Sequence, residues 1–283
     1  MSKRRGILYV TGALIIAGPP ALWLISNIPA TPRAIVIAPV TLAADVARGG
    51  ERDLVALAKR DPMALVRLGL ERYTRDVHEY RCVLVKQERL GGKLSAVQEV
   101  ELRYREAPRA VYMLWKANAE SAKRALYMDE PAFMDKKGQK LARVEPAGAV
   151  ARLFVKDLYL PIDSPEAKKA SRRTIDEAGF HATFDLLNAY NAIAAERGVL
   201  DLRYGGTGTV DGRPTYVILR DLPYEGPNGP YPDARMVLHL DQEWLLPVAV
   251  YSYADHEQTE LLGSYVFTQV DLNPHFGDDA FAF

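Results

Sequence analysis

Across 283 residues there is a single cysteine, Cys82. One cysteine closes no internal disulfide, so the fold must rest on a hydrophobic core. Cys82 sits in an apolar, strand-like run with no basic partner to activate it, and reads as a small buried hydrophobe. The chain also lacks net charge, with 36 Lys and Arg against 36 Asp and Glu, so no global field recruits nucleic acid. Its five histidines, His78, His181, His239, His256 and His275, show no paired metal spacing. Asp255-His256 and His239 with Asp241 are the nearest His–carboxylate pairs, and neither has a third ligand at suitable spacing. Gly-x-Ser-x-Gly and His-Glu-x-x-His motifs are absent. Gly205-Gly206-Thr207-Gly208 lies within a strand pattern, not between strand and helix where a phosphate loop belongs. No solenoid-length repeat and no βαβ alternation are present. These absences argue against an enzyme, and they suggest no cofactor, no metal and no nucleic-acid partner.

What is present begins at the N-terminus. Lys3, Arg4 and Arg5 precede Gly6–Ile25, twenty residues without a charge. That length spans a bilayer core as a helix, and the preceding cations favour a cytoplasmic N-terminus. Two readings compete. A cleaved signal needs small residues before the cut, whereas Asn27-Ile28-Pro29-Ala30 places a bulky Ile28 there, and the apolar run is long for a signal core. An uncleaved inner-membrane anchor over residues 1–28 is favoured, with periplasmic release after signal cleavage as the alternative. In either case the bulk of the chain lies outside the cytoplasm. Residues 29–50, opening with three prolines between Pro29 and Pro39, read as a linker, and residues 51–283 as one domain.

Within that domain Glu51–Lys59 is amphipathic. Asp61-Pro62 marks a second helix start, an aspartate N-cap followed by proline at the first helical position. Leu65, Val66, Leu68, Leu70 and Tyr73 carry the apolar face to about Val77. The richest stretch follows. In Glu79–Trp115 three strands are expected, with Gly91-Gly92 supplying a turn that tolerates positive φ. Val100, Leu102 and Tyr104 alternate with Glu99, Glu101, Arg103 and Arg105, giving one apolar and one charged face. Further strands are expected at Ala125–Met128, Ala132–Met134 and Lys140–Val144, the last two around a turn at Asp135–Gly138. Leu153–Leu160 fits strand or short helix, and Ser164–Arg173 reads as a polar loop. Ala178–Glu196 fits a helix, its stripe formed by Phe180, Phe184, Leu187 and Tyr190. Thereafter Leu200–Thr209 and Thr215–Arg220 flank an Asp211-Gly212 hairpin turn, Pro223–Pro232 is a loop, and Ala234–Leu240, Pro247–Ala254 and Leu261–Asp271 close the domain. About ten strands result.

The motifs Tyr80–Arg89, Gly91-Gly92-Lys93-Leu94 and Val111–Trp115, followed by Val210–Pro214, Leu246-Pro247-Val248 and Tyr265-Val266-Phe267, resemble an uncharacterised bacterial extracytoplasmic family. That family is similar in turn to the LolA/LolB-like lipoprotein-carrier fold, and the resemblance covers about Tyr73 to Phe283. It implies an α+β fold: a curved antiparallel β-sheet, a half-barrel, with helices on the concave side and, here, an N-terminal membrane helix before it. It also implies a cavity between sheet and helices that accepts acyl chains. Each methylene moved out of water contributes about 0.8 kcal/mol, so such a ligand needs no specific polar contact. Partners implied are a lipid or an acylated protein, with membrane contact through the N-terminal segment.

The residues expected to line a cavity are Tyr80, Leu84, Leu102, Tyr104, Tyr112, Leu114, Tyr216, Val237, Val250 and Phe267. Their alternation fits a ligand cavity and an ordinary core equally well. Lys86, Glu88 and Arg89, ending the first strand, are candidates for a cavity mouth or simply a solvated strand end. Beside the ligand-binding reading stands a non-catalytic envelope scaffold with a self-filled core.

Overall fold

A computed structural model describes residues 49–148, 157–277 and 279–283. The expected membrane segment and nearly all of the expected linker lie outside the described residues. Among those described, no helix is long and apolar enough to cross a membrane.

Helix α1 (Gly49–Arg60) leads into α2 (Pro62–Asp76) through Asp61, whose carboxylate accepts from the Ala64 amide at 2.9 Å. That bond satisfies one orphan N–H of the helix start, and Pro62 needs none. Leu65, Val66, Gly69 and Tyr73 form the buried stripe of α2. Gly69 is required where it stands, since a Cβ there would lie 2.6 Å from the Leu245 carbonyl oxygen.

The strands are β1 (Glu79–Leu90), β2 (Lys93–Leu94), β3 (Gln98–Glu106), β4 (Arg109–Ala117), β5 (Ala122–Met128), β6 (Leu141–Pro146) and β7 (Leu158–Pro161). After two helices, α3 (Pro165–Ala170) and α4 (Phe180–Glu196), come β8 (Asp201–Val210), β9 (Arg213–Asp221), β10 (Arg235–Asp241), β11 (Pro247–Tyr253) and β12 (Leu261–Leu272). All are antiparallel in one curved, open sheet, ordered β7-β6-β5-β4-β3-β1-β12-β11-β10-β9-β8, with β2 paired to β1. The last strand thus returns beside the first. Two meanders, β1 to β7 and β8 to β12, are sewn together by the β1–β12 ladder running from Tyr80↔Leu272 to Glu88↔Gly263.

One face of this sheet, here called inner, packs against α2 and α4. Tyr80, Leu84, Val100, Leu102, Tyr104, Ile218 and Leu238 from the sheet share a core with Leu65, Val66 and Tyr73 of α2 and Phe180, Phe184 and Leu187 of α4. Tyr80 stacks on Tyr104 with centroids 5.0 Å apart, and Phe180 lies 4.6 Å from Tyr80. Cys82 is buried in the same core, and burial pushes its thiol pKa well up.

Three expectations are corrected. The sheet has twelve strands: β2 is an addition, and β7 takes the strand alternative for the end of Leu153–Leu160, whose residues 153–156 lie outside the described residues. Pro131–Phe133 is a 3-10 turn rather than strand, and Met134 makes one isolated bridge to Lys140. Ser164–Arg173 is not simply a loop, because Ser164 caps α3 by accepting from the Ala167 amide at 3.2 Å, with Pro165 at the first helical position. The cap signal was present, and the charge of Glu166, Lys168 and Lys169 hid it.

Candidate functional site

Between the inner face, α3 and α4 lies a cavity of about 1580 Å³. Its apolar wall comes from both meanders: Leu84, Met113, Trp115 and Val144 from one, Val250 and Phe267 from the other. Helix α4 closes one side with Leu186, Leu187 and Tyr190, and α3 covers another with Ala167 and Ala170. The sheet alternation puts these side chains inward. Leu84 pairs with Val100 and Phe267, Tyr265 pairs with Lys86 and Val250, and residues facing across a ladder share a face.

The sequence-proposed lining residues divide by position. Leu84, Val250 and Phe267 border the cavity. Tyr80, Leu102, Tyr104 and Tyr216 are on the inner face but wholly packed in the core and do not border it. Tyr112, Leu114 and Val237 stand on the outer face. Tyr112 pairs with Arg103 and Leu126, Leu114 with Glu101 and Arg124, and Val237 with Leu219 and Tyr251. In β4 both alternating sets are apolar, because both faces are covered. The outer one receives the C-terminal segment, where Phe276, Ala280, Phe281 and Phe283 meet Ala110, Tyr112, Leu114, Leu126 and Phe133. Arg105 lies over Phe281 at 4.9 Å, and Arg124 and Arg143 lie over Phe283 at 4.4 and 4.6 Å.

Lys86 borders the cavity, while Glu88 lies behind it and Arg89 near the strand end, donating to Leu261 and Gly92 carbonyls. Glu88 is the hub of the polar wall. Its carboxylate accepts from Lys86 Nζ at 2.8 Å, from the Tyr265 hydroxyl at 2.7 Å, from the Ser171 hydroxyl at 3.1 Å and from the Arg172 amide at 3.1 Å. Burial by itself raises this carboxyl's pKa, but the Lys86 charge and the donors around it outweigh burial and hold it below the ordinary range. Burial and the Glu88 charge together push the Tyr265 phenol far up. The bonds to Ser171 and Arg172 fasten the end of α3, the cavity's cover, to β1.

A second buried ion pair closes another part of the wall. Arg220 donates to Asp233 at 3.0 Å and to Asn191 of α4 at 3.1 Å. Arg220 and Asp233 border the cavity. Sequence reasoning missed Trp115, Tyr265, Ser171 and this pair. Arg220 had a readable signal, since it continues the inward series Tyr216, Ile218 as the one charge on that face of β9. Trp115 had one too, as the next inward residue after Val111 and Met113. The loop Pro223–Pro232 ends at this wall, where Arg172 donates to the Pro232 carbonyl at 3.2 Å.

Residues 77–283 match the model of a family described as protein of unknown function, DUF1571. No curated protein matches the chain. Among solved structures it is similar to MucB, at 17% identity and a TM-score of 0.44, over 78% of this chain and 63% of that one. The chain therefore spans under two thirds of the MucB structure's length. It is also similar to the lipoprotein LppX of Mycobacterium tuberculosis, at 14% identity and TM-score 0.39, over 72% of this chain and 92% of that one. A putative outer membrane lipoprotein-sorting protein domain from Vibrio parahaemolyticus matches at 9% identity and TM-score 0.33, over 77% of this chain and 95% of that one.

Proposed function

The chain belongs to the DUF1571 family of proteins of unknown function, and we propose that it is an extracytoplasmic, non-catalytic protein that sequesters an acyl chain, from a lipid or an acylated protein, in the cavity beneath its sheet. The observation that carries this reading is the cavity itself. Its volume of about 1580 Å³ exceeds the usual ~300–1,000 Å³ of small-molecule sites and suits a long, flexible ligand. Its wall is mainly aliphatic and aromatic, and a twelve-carbon chain losing its water there would gain on the order of 10 kcal/mol before ordering costs. Leu84, Val250 and Phe267 are the sequence-proposed residues assigned to the acyl site, joined by Met113, Trp115 and Val144. The cavity already opens to solvent beside the exposed Lys93 and Lys169, and movement of α3 or of the adjoining Pro232 loop would widen it. The uncharged run Gly6–Ile25 supports tethering of the domain to the membrane from which such a ligand would come.

Native mass spectrometry and lipid extraction on the full-length protein, purified from its own envelope, test the reading. A co-purifying lipid is expected, with occupancy lost in Leu160→Asp and Val250→Asp. Both side chains are half-buried against the cavity, so an aspartate there can hydrate without unfolding the sheet. Folded protein that carries no lipid and takes none from vesicles would shift the assignment to an envelope scaffold.

A further inference from the structure

The polar part of the cavity wall is rich in donors. Lys86 stands between Gln98 and Tyr265 in the β3–β1–β12 ladders, and all three border the cavity. The Lys86 ammonium has three N–H groups. One goes to Glu88 at 2.8 Å and one to the Ser171 hydroxyl at 3.2 Å, leaving a third. Gln98 is buried, and its Oε1 accepts from the Trp115 indole at 2.9 Å. An indole can only donate, so that bond fixes the amide orientation and turns the Nε2 donors away from Trp115. Among the described residues, Nε2 has no acceptor. Tyr265 spends its proton on Glu88.

Charge follows the same pattern. Seven cationic side chains border the cavity against four carboxylates. Of the carboxylates, Asp233 is taken by Arg220, Glu177 caps the Thr174 amide, and Glu120 and Glu166 are exposed. Of the cations, Arg173 is half-buried, and its guanidinium has no carboxylate partner among the described residues. It follows Ser171 and Arg172, which hold Glu88, so its charge sits at the same wall. Lys93 and Lys169 add two exposed charges at the rim, with no ion-pair partner among the described residues.

We propose that Lys86, Gln98 and Arg173 form a subsite for the oxyanion head of an amphiphile, a carboxylate or phosphate, whose acyl chain lies along Leu84, Trp115 and Val250. This rests on the acyl-chain reading above and specifies its ligand class. Glu88 cancels the charge of Lys86 and keeps it oriented, so the excess charge that selects the head group comes from Arg173. A neutral head would leave the Arg173 charge and the Gln98 donors without an acceptor, and a cationic head would meet like charge.

The test uses the full-length protein in phosphatidylcholine nanodiscs with a diazirine-bearing dodecyl probe, the adducts being mapped by peptide mass spectrometry. Four competitors share one chain length: dodecanoate, dodecyl phosphate, monolaurin and dodecyltrimethylammonium. Adducts are expected on the peptides carrying Leu84 and Trp115. Either anion should displace them at a concentration at least about tenfold below that of monolaurin, the discrimination expected of a charged hydrogen bond, and the cation should be weakest. A difference between the two anions would tell carboxylate from phosphate. In Arg173→Gln and Gln98→Leu the preference for anions over monolaurin should fall below about threefold, while probe labelling persists. Equal displacement by all four competitors in the unaltered protein would overturn the anion subsite and leave the acyl cavity standing. Absence of any adduct in the cavity peptides would remove both.

Discussion

The Tyr265 phenol donates to Glu88 across 2.7 Å, and this contact joins β12 to β1 at the point where α3 is tied down. Glu88 and Lys86 are both about nine-tenths buried or more, so each charge depends on the other. Removing one partner of such a pair generally costs ~3–5 kcal/mol, because the remaining charge is stranded. Glu88→Gln should therefore lower unfolding free energy by roughly that amount, measured by urea titration. Amide exchange should accelerate most over residues 165–174, ahead of β1 itself. The double change Lys86→Met with Glu88→Leu should recover much of the stability, since no charge is then stranded. It should not restore slow exchange in α3, which loses its anchor either way.

His239 supplies a pH dependence. It is buried on the outer face beside Thr215, whose hydroxyl lies 3.0 Å from Nδ1, and burial lowers its pKa from 6.5 to about 4. Between those values the unfolded chain takes up a proton that the folded ring refuses. Stability from this site is complete above about pH 6.5 and falls as the pH drops towards 4, by about 3 kcal/mol at the bottom. His239→Gln removes the titration, so the difference between the two proteins' stability curves should be sloped across that window and flat above it. Asp221, held near 2 chiefly by its bonds to Arg235 and then by Arg203, is common to both proteins and cancels in the difference. A flat difference across the window would place His239 in contact with water.

Much of this architecture was legible because local chemistry dictated it. Asp61-Pro62 starts a helix whatever surrounds it, and Gly91-Gly92 and Asp211-Gly212 turn with φ of 55°, 82°, 49° and 75°. The strand alternation in β3 was also plain, since Glu99, Glu101 and Arg103 mark one face. In β4 the alternation carried no direction. Ala110, Tyr112 and Leu114 are as apolar as Val111, Met113 and Trp115, and only the return of a segment some 170 residues later decides which set faces the helices. Most of the polar wall was illegible for the same reason. Lys86 could be singled out at its strand end, but Ser171, Arg173 and Tyr265, which complete the wall, lie some 85 to 180 residues further on, and nothing local distinguishes them from surface residues.

That returning C-terminal segment should be structural. Arg103 donates to the Ala280 carbonyl at 2.7 Å, and the Glu79 carboxylate accepts from the Phe276 amide at 2.6 Å. Phe281 is buried and meets Phe276 edge-on at 5.4 Å. Phe281→Ala should cost about 3 kcal/mol, near the low end for a buried phenylalanine because the site lies at the margin of the sheet. Arg105→Gln, which removes the cation over that ring and an exposed bond to the Pro108 carbonyl, should cost about 0.5–1 kcal/mol. Urea unfolding monitors both. If the two variants lost equal stability, the ring would contribute little beyond its contact with Arg105.

The sharpest local test lies at Gly179, which precedes α4 with φ of 101° and ψ of −176°. L-residues avoid that region at a cost of ~1–3 kcal/mol. A Cβ there would also fall 2.1 Å from the Tyr80 hydroxyl, which accepts from the Phe180 amide at 3.1 Å. Backbone strain and displacement of the Tyr80 ring, packed between Tyr104 and Phe180, should together make Gly179→Ala cost more than about 3 kcal/mol. Gly198 is the matched control. Its φ is 67° with nothing near its Cβ position, so Gly198→Ala should cost only about 1 kcal/mol. Adding Tyr80→Phe separates the two causes. If the hydroxyl contact dominates, the double variant should be more stable than Gly179→Ala alone, although Tyr80→Phe by itself destabilises by removing the Phe180 bond. Simple additivity of the two losses would assign the whole penalty to the backbone and none to the phenol.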